Sequence, residues 1–187
     1  MELWDLLDGD RNPLGKTHPR GRQYPMPAGT YHTVVTVFTV DSQGKLLLTR
    51  RAPRKMYGGY WEVTGGSGIA GEDSLTSAAR ELREETGFVA PAGELLLLGT
   101  LREPSAFMDC YLYRLGGRGD DLPVTLQEGE TVDFRWVSFH TMECMIHEGT
   151  IPPPVAMRYG YVRDELIAIL GKDAWEPEED SYEKDRT

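Results

Sequence analysis

Three glutamates, Glu81, Glu84 and Glu85, lie at i, i+3 and i+4 within a segment whose apolar residues recur with helical period. On a helix they share one face spanning roughly 100°. Like charges at these spacings each cost about 0.2–0.5 kcal/mol in a bare helix. A divalent cation reverses the sign of that interaction, turning repulsion among the carboxylates into shared attraction. Oxygen donors without cysteine or clustered histidine favour Mg²⁺, or Mn²⁺ in its place, over zinc. The competing reading is a solvated acidic face, with Arg80 forming an ordinary surface pair with Glu84 four residues on.

The residues on either side decide between the two. Gly66-Ser67-Gly68-Ile69-Ala70-Gly71-Glu72 leads to Arg80-Glu81-Leu82-Arg83-Glu84-Glu85-Thr86-Gly87-Phe88. This follows the pattern G-x5-E-x7-R-E-U-x-E-E-x-G-U, with U bulky and apolar, at every fixed position. Such agreement arises by chance on the order of once in a billion starts at average composition. The segment closely resembles the Nudix box. That resemblance implies an α+β fold, an αβα sandwich with a mixed β-sheet, in which a strand-loop-helix unit carries the chemistry. It implies a hydrolase that cleaves a diphosphate linkage with Mg²⁺, most often in a nucleoside diphosphate derivative. Carried over by position, Glu81, Glu84 and Glu85 are the metal ligands, and Glu81 is also a candidate base. Glu72 holds the loop or adds a ligand through water, and Arg80 orients a glutamate. Family members often place a further glutamate outside the box; here Glu130, or Glu128 beside it, is the candidate for base or ligand.

Upstream, Glu2-Leu3-Trp4-Asp5, His32, Arg50-Arg51, Lys55 and Gly59-Tyr60-Trp61 resemble the isopentenyl-diphosphate-isomerase-like branch of the same superfamily. By matched position Arg51 and Lys55 contact substrate phosphates, and His32 matches one isomerase metal ligand. The isomerase chemistry itself is disfavoured, because Gly66 and Gly68 stand where that enzyme has its catalytic cysteine and a histidine. The alternatives to hydrolysis are that isomerase and a catalytically idle domain that senses a nucleotide. Pro104, sixteen residues beyond Phe88, is a slight hint of ADP-ribose pyrophosphatases; Phe107, Met108, Tyr111 and Tyr113 are candidates to line a substrate pocket or simply to pack.

Several elements must position these groups. Residues 31–40 are rich in β-branched and aromatic residues and read as a strand, and Asp41–Gly44 turns into a second strand at 45–50. A short strand at 60–64 ends in glycines. The helix spans 73–86, with Asp73 or Ser74 as its cap, Gly87 as its stop, and Leu75, Ala79, Leu82 and Thr86 expected to face the sheet. Further strands are expected at 95–101, 109–115 and 134–137. Helices are expected at about 141–148 and 155–170, the latter after Pro152-Pro153-Pro154. Residues 1–30 contribute a short strand or two, so one domain spans 1–172.

The net charge of −10 is uneven: residues 173–187 hold seven acidic and two basic side chains, or −5, leaving −5 for the other 172. Those fifteen residues are expected to be an acidic, disordered tail. The balance disfavours a surface for duplex nucleic acid, while local cations still allow a small anionic substrate. No apolar run of about 18 residues suggests a membrane span, and the acidic start lacks the pattern of a secretory leader. Cys110 and Cys144 lack metal-type spacing, so reduced thiols and a cytoplasmic location are expected. A homodimer is common among such enzymes, although no residue pattern here marks an interface.

Overall fold

The computed structural model describes residues 2–21, 25–91 and 93–175. A two-stranded hairpin, β1 (Leu3–Leu7) and β2 (Pro13–Pro19), precedes a seven-stranded mixed sheet. The sheet comprises β3 (His32–Val40), β4 (Leu46–Arg51), β5 (Trp61–Glu62), β6 (Thr64–Ser67), β7 (Leu95–Arg102), β8 (Ala106–Arg114) and β9 (Thr131–Val137). Helix α1 (Ser74–Thr86) lies on one face; α2 (Phe139–His147) and α3 (Pro153–Leu170) lie on the other.

Strand β3 is the hinge of this arrangement. It runs parallel to β8 along its whole length, from His32 opposite Ala106 to Val40 opposite Arg114. Its other edge takes β6 antiparallel, Val34 to Val37 against Ser67 to Thr64, and then β4 at Val40 opposite Leu46. Because both faces are covered, β3 is buried continuously from Val35 to Val40 rather than on alternate residues. Val35 and Val37 join Ala78, Leu82 and Tyr111 beneath α1. Phe38 and Val40 enter the larger core with Leu48, Met108, Phe139, Met142 and Leu166.

The segment expected as one strand at 60–64 is two. β5 pairs with β4 through Glu62 opposite Thr49, and β6 then crosses to β3. β8 and β9 each start three residues earlier than the pattern suggested, at Ala106 and Thr131, because pairing with β3 and β4 extends them. α2 starts at Phe139, where Ser138 accepts the Thr141 N–H as its cap. α3 starts at Pro153: Pro153 and Pro154 occupy its first turn, where a missing N–H costs nothing.

The expected tail boundary at residue 173 moves. Lys172–Trp175 forms a 3₁₀ turn, and Trp175 stacks on Phe139 with ring centroids 4.2 Å apart. Its indole N–H donates to the Tyr159 hydroxyl at 2.8 Å. The indole thus adds apolar area to the core, which outweighs the acidic character of its neighbours. Residues 176–187 of the expected tail lie outside the described residues.

The hairpin β1–β2 is fastened to the sandwich at several points, among them a pair of backbone hydrogen bonds between Leu7 and Tyr31. Trp4 stacks on His32, with centroids 3.9 Å apart and planes 6° from parallel. The Ala70 N–H donates to the Leu3 carbonyl, and the Gly71 N–H to the Asp5 carboxylate. At the hairpin turn, Arg11 pairs through both guanidinium nitrogens with Asp109 on β8. Asp109 is 1% exposed and also accepts from Ser74, at the start of α1, and from Thr100 on β7. One buried carboxylate therefore joins four elements, and removing it leaves three donors short of their acceptor. Asp109→Ala is expected to lower unfolding free energy by about 3 kcal/mol, read from urea denaturation; a change below about 0.5 kcal/mol would show that the network carries little.

Candidate active site

Helix α1 is set by its ends. Asp73 caps it by accepting the Thr76 N–H at 2.7 Å, and Gly87 stops it at φ 79°. Its buried face keeps most of the stripe expected from periodicity, with Leu82 and Thr86 buried and Ala79 packed on the core, but it is turned away from Leu75. Leu75 is 44% exposed, whereas Ser77, Ala78, Glu81, Leu82, Glu85 and Thr86 are buried. The helix is thus rolled so that two of the three glutamates face inward; Glu84 stays at the rim.

Two acids can be buried there because β6 presents almost no side chains. A Cβ at Gly66 would overlap the Glu81 carboxylate, and a Cβ at Gly65 would come within 2.8 Å of the Val35 carbonyl. Gly66 leaves the space that the Glu81 carboxylate fills, and Gly65 allows the close approach of β3. Arg80 partly compensates the charge. It donates to Glu72 at 2.9 Å, Glu81 at 2.8 Å, Glu84 at 3.1 Å and the Ser67 carbonyl at 3.0 Å. Glu72 in turn receives the Ile69 N–H and the Ser77 hydroxyl. It therefore braces the loop from β6 into α1.

These surroundings set the proton affinities. Burial raises the Glu81 carboxyl above its ordinary value, with Arg80 opposing the rise. Burial raises Glu85 much further, and the neighbouring charges of Glu62 and Glu81 add to it. Among the described residues, the Gly65 N–H at 3.3 Å is the hydrogen bond that supports its charged form. At Glu72 burial acts upward too, yet the bonds from Arg80, Ile69 and Ser77 win and hold it below the usual range.

The acids open onto a polar cleft of about 130 Å³. Glu81, Glu84 and Glu85 form one wall with Gly65, Gly66 and Arg80; Arg51, Lys55, Gln127 and Glu130 face them, and Glu2 and Arg20 stand at the mouth. Glu81, Glu84 and Glu85, together with Arg51, Lys55 and Glu130, are therefore gathered around this cleft. Glu72 sits one step behind, joined through Arg80. Each facing cation already has a partner: Arg51 with Glu62 at 2.5 and 2.6 Å, and Lys55 with Glu130. Glu128 is exposed and is not part of the lining.

Sequence reasoning missed Glu2, Arg20, Glu62 and Gln127. Glu62 carried a signal, since it follows Trp61 in a strand opposite Thr49 and so shares the face of Arg51. The Glu2–Arg20 pair, at 2.5 Å, forms across the hairpin itself and reaches the cleft only through the hairpin's docking, for which there was no signal. Conversely, Phe107, Met108, Tyr111 and Tyr113 do not line the cleft. They are 7% exposed or less and pack in the cores or under the hairpin. β8 is a central strand with helices on both sides, so its aromatics have no route to solvent. Pro104 lies in the β7–β8 turn, next to the ion pair of Glu103 with Arg158. His32 is buried against Trp4, and among the described residues it joins no metal-ligand set.

Among the described residues no three Asp, Glu, His or Cys side chains close tightly around a common point. Arg80 draws Glu72, Glu81 and Glu84 to itself. The donor set nevertheless fits a hard divalent cation. Glu85 is a buried carboxylate without an ion-pair partner among the described residues, Glu81 is beside it, and the available donors are oxygens.

The NUDIX domain family model matches residues 30–156. An uncharacterized Nudix hydrolase of Listeria monocytogenes is 32% identical over 155 residues, 82% of this chain and 89% of the relative. The chain therefore belongs to the Nudix hydrolase family. An isopentenyl-diphosphate Delta-isomerase of Serratia proteamaculans is 36% identical over 91 residues, covering 48% of this chain and 49% of that one. The crystal structure of DR0079 from Deinococcus radiodurans superimposes with a TM-score of 0.71 at 22% identity, covering 86% of this chain and 99% of that chain. It shares the fold, including the mixed sheet between helices expected from the box.

Two outcomes follow for the site's surroundings. Gly66→Ala is expected to displace Glu81 and reduce metal-dependent turnover by at least about tenfold; wild-type activity would show that the close approach is dispensable. Burial holds the His32 imidazole down at about 4, whereas in the unfolded chain it takes a proton near 6.5. Stability from His32 is thus complete above pH 6.5 and is lost as pH falls toward 4. His32→Phe should remove on the order of 1–3 kcal/mol of that loss, measured as urea midpoints at pH 7 and pH 4.5. An unchanged pH slope would contradict it.

Proposed function

We propose that this chain is a Mg²⁺-dependent diphosphohydrolase, with Mn²⁺ able to substitute, acting on a small nucleoside diphosphate derivative or a related diphosphate. The observation that carries the reading is the pair of buried carboxylates, Glu81 and Glu85, opening with Glu84 onto a cleft that also holds Arg51 and Lys55. The charge balance supports a cation requirement. Five glutamates line the cleft against four basic side chains, and Glu62 and Glu72 add negative charge behind them. A diphosphate entering alone would meet net repulsion in a partly desolvated site.

Glu81, Glu84 and Glu85 would hold the ion, and Glu72 would steady the loop or contribute through water. A bound divalent cation offsets charge on the phosphoryl oxygens and makes an attacking water more acidic. Arg51 and Lys55 reach the substrate's non-bridging oxygens from the facing wall. Lys55 leaves Glu130 when it takes up phosphate, which frees that carboxylate to accept the proton of the attacking water. Glu81 is the second candidate for that role. Arg80 acts on both arms, fixing the orientation of Glu81 and tying Glu84 to the braced loop.

The isomerase alternative lacks its acid, since Gly66 and Gly68 leave no thiol at the relevant strand. A nucleotide sensor without turnover would not need the full set of carboxylates.

The test is phosphate or nucleotide release from NDP-sugars, ADP-ribose, nucleoside triphosphates and isoprenoid diphosphates, with Mg²⁺ and after chelation. Glu84→Gln and Glu85→Gln should each lower turnover by at least about a hundredfold at an unchanged or higher melting temperature, because neutralising Glu85 also relieves a buried charge. Full activity in both variants would overturn the proposal, and ligand binding without turnover in either metal would replace it with a sensor.

A further inference from the structure

Strands β7 and β9 each pair along one side only among the described residues, β7 with β8 and β9 with β4. Their free edges are finished differently. Along β7 a bulge between Leu97 and Gly99 breaks the row, and the Tyr161 hydroxyl of α3 donates to the Thr100 carbonyl at 2.9 Å. A bulge and a covering side chain both blunt an edge against pairing with another chain. Along β9 the bulge lies at one end, where β4 shifts register between Arg50 and Arg51, and the rest of the strand runs straight to Val137.

The direction of the β9 main-chain groups follows from its partner. Arg51 spends its N–H and C=O on Tyr60 and Gly59, on the far side of β4. Its alternates Arg50 and Leu48 therefore turn theirs toward β9. Asp133 and Arg135 stand opposite Arg50 and Leu48 and close that ladder. Phe134 and Trp136 thus direct their main-chain groups away from the sheet. The Phe134 N–H donates instead to the carboxylate of the preceding Asp133, at 2.9 Å. Phe134 is 38% and Val132 is 53% exposed, so apolar side chains border the open row. Such a row is a template for a further strand.

We infer that this further strand is β9 of a second copy of the chain, paired antiparallel about a two-fold axis at Phe134. The side chains select that partner and that register. Centred on Phe134, the pairing sets Phe134 opposite its own copy, Val132 opposite Trp136, and Asp133 opposite Arg135 on both sides of the axis. Apolar and opposite-charge pairs in direct register each contribute roughly 0.2–1 kcal/mol. A centre one residue away sets Asp133 against Asp133 or Arg135 against Arg135, like charges that oppose pairing. Neither residue has an ion-pair partner among the described residues. Asp133 accepts its neighbour's N–H, and the Arg135 guanidinium lies 3.8 Å over the Trp61 ring. Copies of a chain with a formal net charge of −10 repel one another at long range, so their contact needs a local complement of this kind. The contact borders the cleft, because Glu130, which lines it, directly precedes β9.

The test is sedimentation equilibrium of the full chain. The unaltered protein is expected at twice the chain mass of 21.0 kDa. Asp133→Arg and Arg135→Asp each turn both cross-strand pairs into like charges, and each should weaken self-association at least about tenfold. Mixed in equal amounts, the two variants meet as opposite charges at both pairs and should form dimers again. Phe134→Pro removes the outward N–H and leaves the ladder to β4 intact. It should also be monomeric, and it carries the test if circular dichroism shows a charge variant to be unfolded. A monomeric unaltered chain would overturn the inference, and so would a dimer that the proline variant or a folded charge variant keeps at full strength. Monomeric single variants whose mixture stays monomeric would overturn the register, and with it the second β9 as the partner.

Discussion

Much of this structure depends on two carboxylates being held against a strand instead of in water. Glu81 and Glu85 each give up hydration, a cost that no uncharged contact repays. The fold meets it with three devices. Gly66 leaves room, the Gly65 N–H approaches Glu85, and Arg80 spans Glu72, Glu81 and Glu84. What remains uncompensated is a concentration of carboxylates beside a cleft, a donor set whose natural complement is a hard cation.

That arrangement explains the shape of the rest. The loop from β6 into α1 must be rigid for Arg80 to reach three acids, and Glu72 braces it from within. The β1–β2 hairpin braces it from outside, through Leu3, Asp5 and the Trp4–His32 stack. Most of this hairpin lies before residue 30, where the family match begins. It nevertheless supplies Glu2 and Arg20 to the mouth of the cleft and ties itself to β8 through the buried Arg11–Asp109 pair. Support and site are thus one mechanical unit.

The opposite wall follows a different logic. Arg51 and Lys55 are already paired with carboxylates, so they are positioned without being consumed. In the function proposed above, exchange of a carboxylate for a phosphate would conserve hydrogen bonds while moving charge. Beyond this wall lies the free edge of β9, where Phe134 is exposed.

The residue pattern by itself determined the chemistry-bearing segment. Spacing from Gly66 through Glu72 and Arg80 to Gly87 is local, lies within one loop and one helix, and leaves its mark directly in the chain. The same holds for the long strands and for the α+β class, because burial on both faces imposes apolar runs. Tertiary structure decided what depends on residues far apart in sequence. It rolled α1 so that Leu75 faces solvent and Glu81 faces β6, since glycine at the far strand makes room for an acid that periodicity alone assigns to water. It withdrew Tyr111 and Tyr113 into the core, because a central strand has no exposed face. It also brought Glu2, Arg20 and Gln127 to the cleft, and Glu62 behind Arg51, through the docking of separate elements. A spacing rule can locate ligands that lie within a helical turn of one another; the partners across a cleft are set by the packing of a sheet.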